Sequence, residues 1–149
     1  MSVNSSRIGA AIVSILSILC VSNKTWASCF VDSCNGLDPY VEGCSKDAVV
    51  ERFTELKNAT GVRVGGVFLM YSPACESFWT IVFGSGYFDA RVGSTTKRGD
   101  GKSYAFHGGS KELVGESKML GDNGSGIAGC YYVHASDKGV VTGCTPWVY

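Results

Sequence analysis

The residues best equipped for chemistry in this 149-residue chain are seven cysteines and two histidines. Six of the cysteines, Cys29, Cys34, Cys44, Cys75, Cys130 and Cys144, lie beyond an apolar N-terminal run that contains the seventh, Cys20. A nucleophilic thiol requires a depressed pKa and a partner histidine. His107 and His134 are the only histidines, and Cys75 is the most isolated cysteine in sequence. A zinc site requires clustered ligands, yet no short Cys-x-x-Cys or His-x-x-x-His pair occurs. Six is an even number, as a closed disulfide set requires, and it allows 15 connectivities. The cysteines are therefore read as staples, and no catalytic residue, cofactor or metal is expected.

Other constellations are weaker. Ala105-Phe106-His107-Gly108-Gly109 is similar to the oxyanion loop of lipases, but no Gly-x-Ser-x-Gly elbow accompanies it. Asp32, Asn35, Asp38 and Glu42 offer oxygens for a calcium ion but miss the alternate-residue spacing of a helix–loop–helix calcium loop. Turn capping is the expected role of Asp38-Pro39. Carboxylate pairs for glycoside hydrolysis depend on proximity in space, so 13 acidic residues neither indicate nor exclude one. Aromatic residues gather in two segments: Tyr71, Phe78, Trp79, Phe83, Tyr87 and Phe88 in one, Tyr131, Tyr132, Trp147 and Tyr149 in the other. Most are expected in the core, and any left exposed would mark a surface for glycan or protein.

The compartment decides how the cysteines behave. Arg7, the apolar stretch Ile8 to Val21 and the small Ala27 follow the charge–apolar–small order of a Sec-type signal peptide. The stretch is too short to span a bilayer comfortably. Residues 1–27 are read as the signal and 28–149 as one disulfide-stapled domain, with no mature transmembrane segment. Lipid anchoring fails at Cys20, which follows Leu19, and is disfavoured at Cys29 because Trp26 stands where an aliphatic residue is usual. Export places the chain where paired cysteines persist as disulfides. The mature part carries 11 basic and 13 acidic residues and no basic run, which argues against nucleic-acid binding.

With 20 glycines and few strong helix formers, the composition suits strands and turns. Cys29 to Cys44 is rich in turn formers. Asp47 to Leu56 fits either a short helix or a strand. Val62 to Ser72 and Phe78 to Phe83 are strands, separated by Pro73. Gly84-Ser85-Gly86 makes a turn into Tyr87 to Val92. Gly93 to Lys102 is polar and predicts a mobile connecting loop. Ser103 to His107 and Leu113 to Leu120 are further strands, and Asp122 to Gly126 is a turn. Cys130 to His134 and Val140 to Cys144 form a hairpin about Asp137, which sets Cys130 opposite Cys144 for a cross-strand disulfide. The other four cysteines are expected to pair among themselves and tie the N-terminal loop to the strand ending near Ser72. The expected fold is mostly β: a small, stapled antiparallel sandwich or barrel-like domain, with one short helix allowed near Asp47–Leu56.

Three stretches carry a resemblance. They are Cys34-Asn35-Gly36-Leu37-Asp38-Pro39 with Gly43-Cys44 and Asp47-Ala48, then Tyr71-Ser72-Pro73-Ala74-Cys75 with Trp79, and finally Gly143-Cys144-Thr145-Pro146-Trp147. Together they resemble a bacterial family, domain of unknown function number 2690. Thr80 departs from the family's usual alanine, and Gly84 to Ser110 matches none of its pattern. The resemblance implies an extracytoplasmic, cysteine-containing domain without an established activity, and it carries over no catalytic residue.

The leading expectation is a secreted bacterial binding or structural module acting at or outside the cell surface. Its partner would be an envelope glycan or an extracellular protein. A small secreted hydrolase is the alternative, its acids or His107 and His134 converging in a cleft. A secreted inhibitor or toxin would need a rigid exposed loop, for which Gly93 to Lys102 is the candidate. Paired carboxylates or a histidine–carboxylate contact in a deep pocket would favour the enzyme, and a flat aromatic patch the binder.

Overall fold

The computed structural model describes residues 27–84, 91–107, 114–135 and 139–149. Residues 1–26 of the expected signal segment, the Gly84-Ser85-Gly86 turn beyond Gly84, Tyr87 to Ala90, Gly108 to Leu113 and the hairpin loop at Asp137 lie outside them.

Alternation of large apolar residues builds the first sheet. It contains β1 (Val49–Lys57), β2 (Arg63–Ser72), β3 (Ser77–Gly84), β6 (Val114–Glu116) and β7 (Leu120–Gly121). Its order is β1-β2-β3-β6, with β7 pairing farther along β3. The stretch that allowed a helix is β1, because Val49-Val50, Phe53 and Thr54 are residues that pack well on a pleated surface. Asn58 closes the β1–β2 hairpin: its side-chain oxygen accepts the Thr60 and Val62 N–H groups, and Gly61 takes the positive φ the turn needs.

The second sheet runs β5-β4-β8-β9, from β4 (Arg91–Arg98), β5 (Ser103–His107), β8 (Ile127–Ala135) and β9 (Gly139–Cys144). All strand pairs in both sheets are antiparallel. The two sheets stack as a sandwich and do not close into a barrel. The stretch expected to be a mobile loop is instead mostly β4, an interior strand bonded on both sides, and only Gly99 to Gly101 turns. The loop offered for an inhibitor or toxin reading is therefore absent there.

The polarity of β4 has a structural reason. Thr80 of β3, Thr96 of β4 and Ser117 are buried and linked hydroxyl to hydroxyl, each step 2.7 Å. The Ser117 hydroxyl also accepts the Thr80 backbone N–H at 2.9 Å. This chain crosses the interior between the sheets, where β8 passes so close that a Cβ on Gly129 would stand 2.8 Å from the Thr80 hydroxyl. Two apolar clusters complete the core, one of Leu56, Val64, Val67, Val82, Val92 and Val133, the other of Leu69, Phe78 and Ile127.

A third apolar cluster lies outside the sandwich. Trp79 and Met119 are covered by an N-terminal arm, residues 27–48, that carries Cys29, Cys34 and Cys44. Backbone bonds from Gly36 to the Met119 carbonyl and from Met119 to the Leu37 carbonyl bind the arm to the segment after β6. Arg98 reinforces the junction. Its buried guanidinium donates to the Gly121 carbonyl, to Asp32 of the arm at 2.8 Å and to Asp100 at 2.7 Å.

Candidate functional site

Where the arm meets the β6 edge, a cleft of about 370 Å³ opens. Asp38 and Pro39 come from the arm, Phe106 from β5, Val114 and Glu116 from β6, and Ser117 and Lys118 from the segment that follows. The arm reaches this edge because it pairs with Met119, and β6 faces it because β6 is the outer strand of its sheet.

Each charged group in the cleft has a distinct electrostatic setting. Asp38 accepts from Lys118 Nζ at 2.9 Å through one oxygen and from the Tyr40 and Val41 N–H groups through the other. The ammonium holds its pKa below the usual carboxylate range. Asp38 thus performs the turn capping expected of it. Glu116 is the opposite case: burial raises its pKa, and the nearby Asp38 charge raises it further. The Tyr40 hydroxyl and Trp79 indole face the Glu116 carboxylate and partly offset that rise. Yet the Trp79 Nε1 and Glu116 Oε1 atoms are both buried and neither makes a well-formed hydrogen bond. A buried donor and a buried acceptor close together and both unpaired form a natural seat for a hydroxyl group, which accepts from one and donates to the other.

A partly exposed aromatic row extends along the outer face of the first sheet. Phe53, Phe68 and Phe83 follow one another across β1, β2 and β3 with ring centroids 4.9 and 5.4 Å apart. Val114, opposite Phe83 in the ladder, brings the row to the cleft. The two aromatic segments of the sequence divide unequally. Of the eight that are described, only Phe78 and Trp79 are fully buried, Tyr71, Phe83 and Tyr131 are half-buried, and Tyr132, Trp147 and Tyr149 are exposed, which corrects the expectation that most of these aromatics are core.

The cysteines form three pairs: Cys29–Cys34, Cys44–Cys75 and Cys130–Cys144. Cys130 and Cys144 face each other directly in the β8–β9 register. Cys44–Cys75 ties the arm to the β2–β3 turn.

The proposed calcium ligands do not share one site. Asp32 bonds Asn35 and Arg98, Asp38 bonds Lys118, and Glu42 accepts from Ser28. His134 stacks on Tyr132 at 6.5 Å, and no histidine forms an ion pair among the described residues. The His107 side chain lies outside them. In the sequence Glu116 carries one signal, that it is the only acid in the Leu113 to Leu120 stretch.

A family model described as a protein of unknown function (DUF2690) matches residues 32–141. No curated protein and no solved structure matches the chain. Among the described residues no helix is long and apolar enough to cross a membrane.

Proposed function

This chain belongs to the family of proteins of unknown function DUF2690, and we propose that it is an exported bacterial binding module whose cleft takes a hydroxyl-rich ligand of the envelope glycan class. The carrying observation is Glu116, whose buried Oε1 lacks a hydrogen-bond partner, in a cleft walled by Phe106, Pro39 and Val114, with the unpartnered Trp79 Nε1 facing its carboxylate from the core. A sugar presents what this site lacks: a hydroxyl for the two polar atoms and an apolar ring face for the walls. Lys118, half exposed at the rim, supplies a donor for further hydroxyls. In this reading residues 1–27 direct export and are removed after Ala27, and Ser28–Tyr149 acts as one stapled domain.

Titration calorimetry of the secreted protein with soluble envelope polysaccharide fragments tests the reading. Binding that Glu116→Gln weakens at least tenfold supports it. Absence of binding, or equal binding by the variant, overturns it. Intact mass of the secreted protein should correspond to a chain beginning at Ser28.

The hydrolase reading rests on two carboxyl groups in one cleft whose pKa values are pushed in opposite directions, the usual signature of an acid–base pair. Asp38 argues against it. Both of its oxygens are committed to Lys118 and to backbone N–H groups, leaving no free carboxylate to attack or to activate water. Release of reducing ends from the same fragments, abolished by Glu116→Gln, would favour hydrolysis instead.

A further inference from the structure

The buried cysteines of the arm hold a second chemical possibility, independent of the cleft. Cys29, Cys34, Cys44 and Cys75 place all four sulfurs within 4.8 Å of one another. Two disulfides therefore lie against each other, and Cys29 Sγ and Cys44 Sγ, which are not bonded, are 3.7 Å apart. We propose that the reduced form of this cluster is a tetrathiolate site for Zn²⁺.

The geometry supports the proposal. Zn–S bonds of about 2.3 Å in a tetrahedron separate neighbouring sulfurs by about 3.8 Å. The Cys29–Cys44 pair already has that spacing. The bonded pairs need only open to it, a movement of side chains rather than of elements. Four thiolates with no oxygen or nitrogen ligand form a soft, closed site suited to zinc, and Trp79 and Met119 shield it from water. None of the four cysteines lies in a Cys-x-x-Cys pair, so the site arises from the arm folding over the β2–β3 turn.

The chemistry balances simply. Each disulfide takes two electrons and two protons from a reductant such as a phosphine, which becomes its oxide with oxygen from water. Binding of Zn²⁺ by the four resulting thiols then releases their protons. The ion ties the arm to the β2–β3 turn, as Cys44–Cys75 does when oxidised.

Cobalt substitution tests the site. The full protein is reduced with a phosphine under anaerobic, non-denaturing conditions, titrated with Co²⁺ and then displaced with Zn²⁺. The expected result is one Co²⁺ per chain, with thiolate-to-cobalt charge transfer and the ligand-field bands of a tetrahedral tetrathiolate. The fluorescence component that Trp79→Phe removes should be quenched. Cys130→Ser with Cys144→Ser should retain this spectrum, and Cys75→Ser should lose it. If reduction unfolds the chain, circular dichroism should return as Co²⁺ binds. Titratable thiols without a tetrathiolate spectrum, or a spectrum that survives Cys75→Ser, would overturn the proposal.

Discussion

Glu116 opposes folding at neutral pH. Its folded-state pKa is raised by burial above the ordinary 4.5, so the folded protein holds the proton more tightly than the unfolded chain. The resulting stabilisation is complete below the unfolded value and is lost as pH rises through the folded one. Glu116→Gln should therefore raise the melting temperature at pH 7 and lose that advantage near pH 4. Equal gains at both pH values would show that ionisation is not the cause. A side chain that costs stability while weakening no contact is what a binding residue looks like. Asp100 follows the opposite sign. Arg98 lowers its pKa to about 2, so its contribution is present above 3.8 and fades as acid titrates the folded carboxylate. Arg98 itself is buried and feeds three acceptors. Arg98→Met strands the Gly121 carbonyl and should cost about 1–3 kcal/mol by chemical denaturation. It should also flatten the loss of stability in acid, since Asp32 and Asp100 lose their shared partner.

The strands differ in how openly the sequence displays them. β2 and β3 were legible because large apolar residues fill both of their faces, the inner one in the sandwich and the outer one beneath the arm and the phenylalanine row. The β8–β9 hairpin was legible because two cysteines equidistant from Asp137 fixed its register. β4 was not. Its inward positions include Ser94 and Thr96, so the strand shows no apolar alternation and reads as a solvated loop. Thr96 is accommodated there because partners for its hydroxyl arrive from β3 and from the segment after β6, contacts that no local pattern encodes, whereas the buried Ser94 hydroxyl has no partner. Thr96 is the middle link of that hydroxyl chain. Thr96→Val keeps the shape but leaves the Thr80 and Ser117 hydroxyls short of a partner, at a cost of about 1–3 kcal/mol. Thr96→Ser should recover most of it. Indistinguishable unfolding midpoints for Val and wild type would remove the chain's claim to hold the sheets together.

At the scale of the whole molecule, the sandwich and the arm are separable contributions. Turn formers mark Cys29 to Cys44 as a loop in the sequence, and Asp38-Pro39 reads there as a turn cap. The cleft itself was not legible, because Asp38 and Lys118 lie 80 positions apart and meet only through the arm. The cleft should then depend on whatever fastens the arm. Cys44–Cys75, spanning 31 positions, does so and contributes roughly 3.5–4 kcal/mol by the chain-entropy argument. Cys130–Cys144, spanning 14, contributes about 3 kcal/mol within one hairpin of the second sheet. These similar magnitudes fall on different parts. Cys44→Ala with Cys75→Ala should free the arm, uncover Trp79 and abolish cleft binding while the strand signature in circular dichroism persists. Trp79 emission, isolated by comparison with Trp79→Phe, should shift to the red. Cys130→Ala with Cys144→Ala should lower the melting temperature comparably, yet leave Trp79 emission unshifted and binding intact in the folded fraction. If both double variants shift Trp79 alike, the arm and the sandwich unfold as one unit. The cleft would then owe its shape to the whole fold rather than to the staple at its edge.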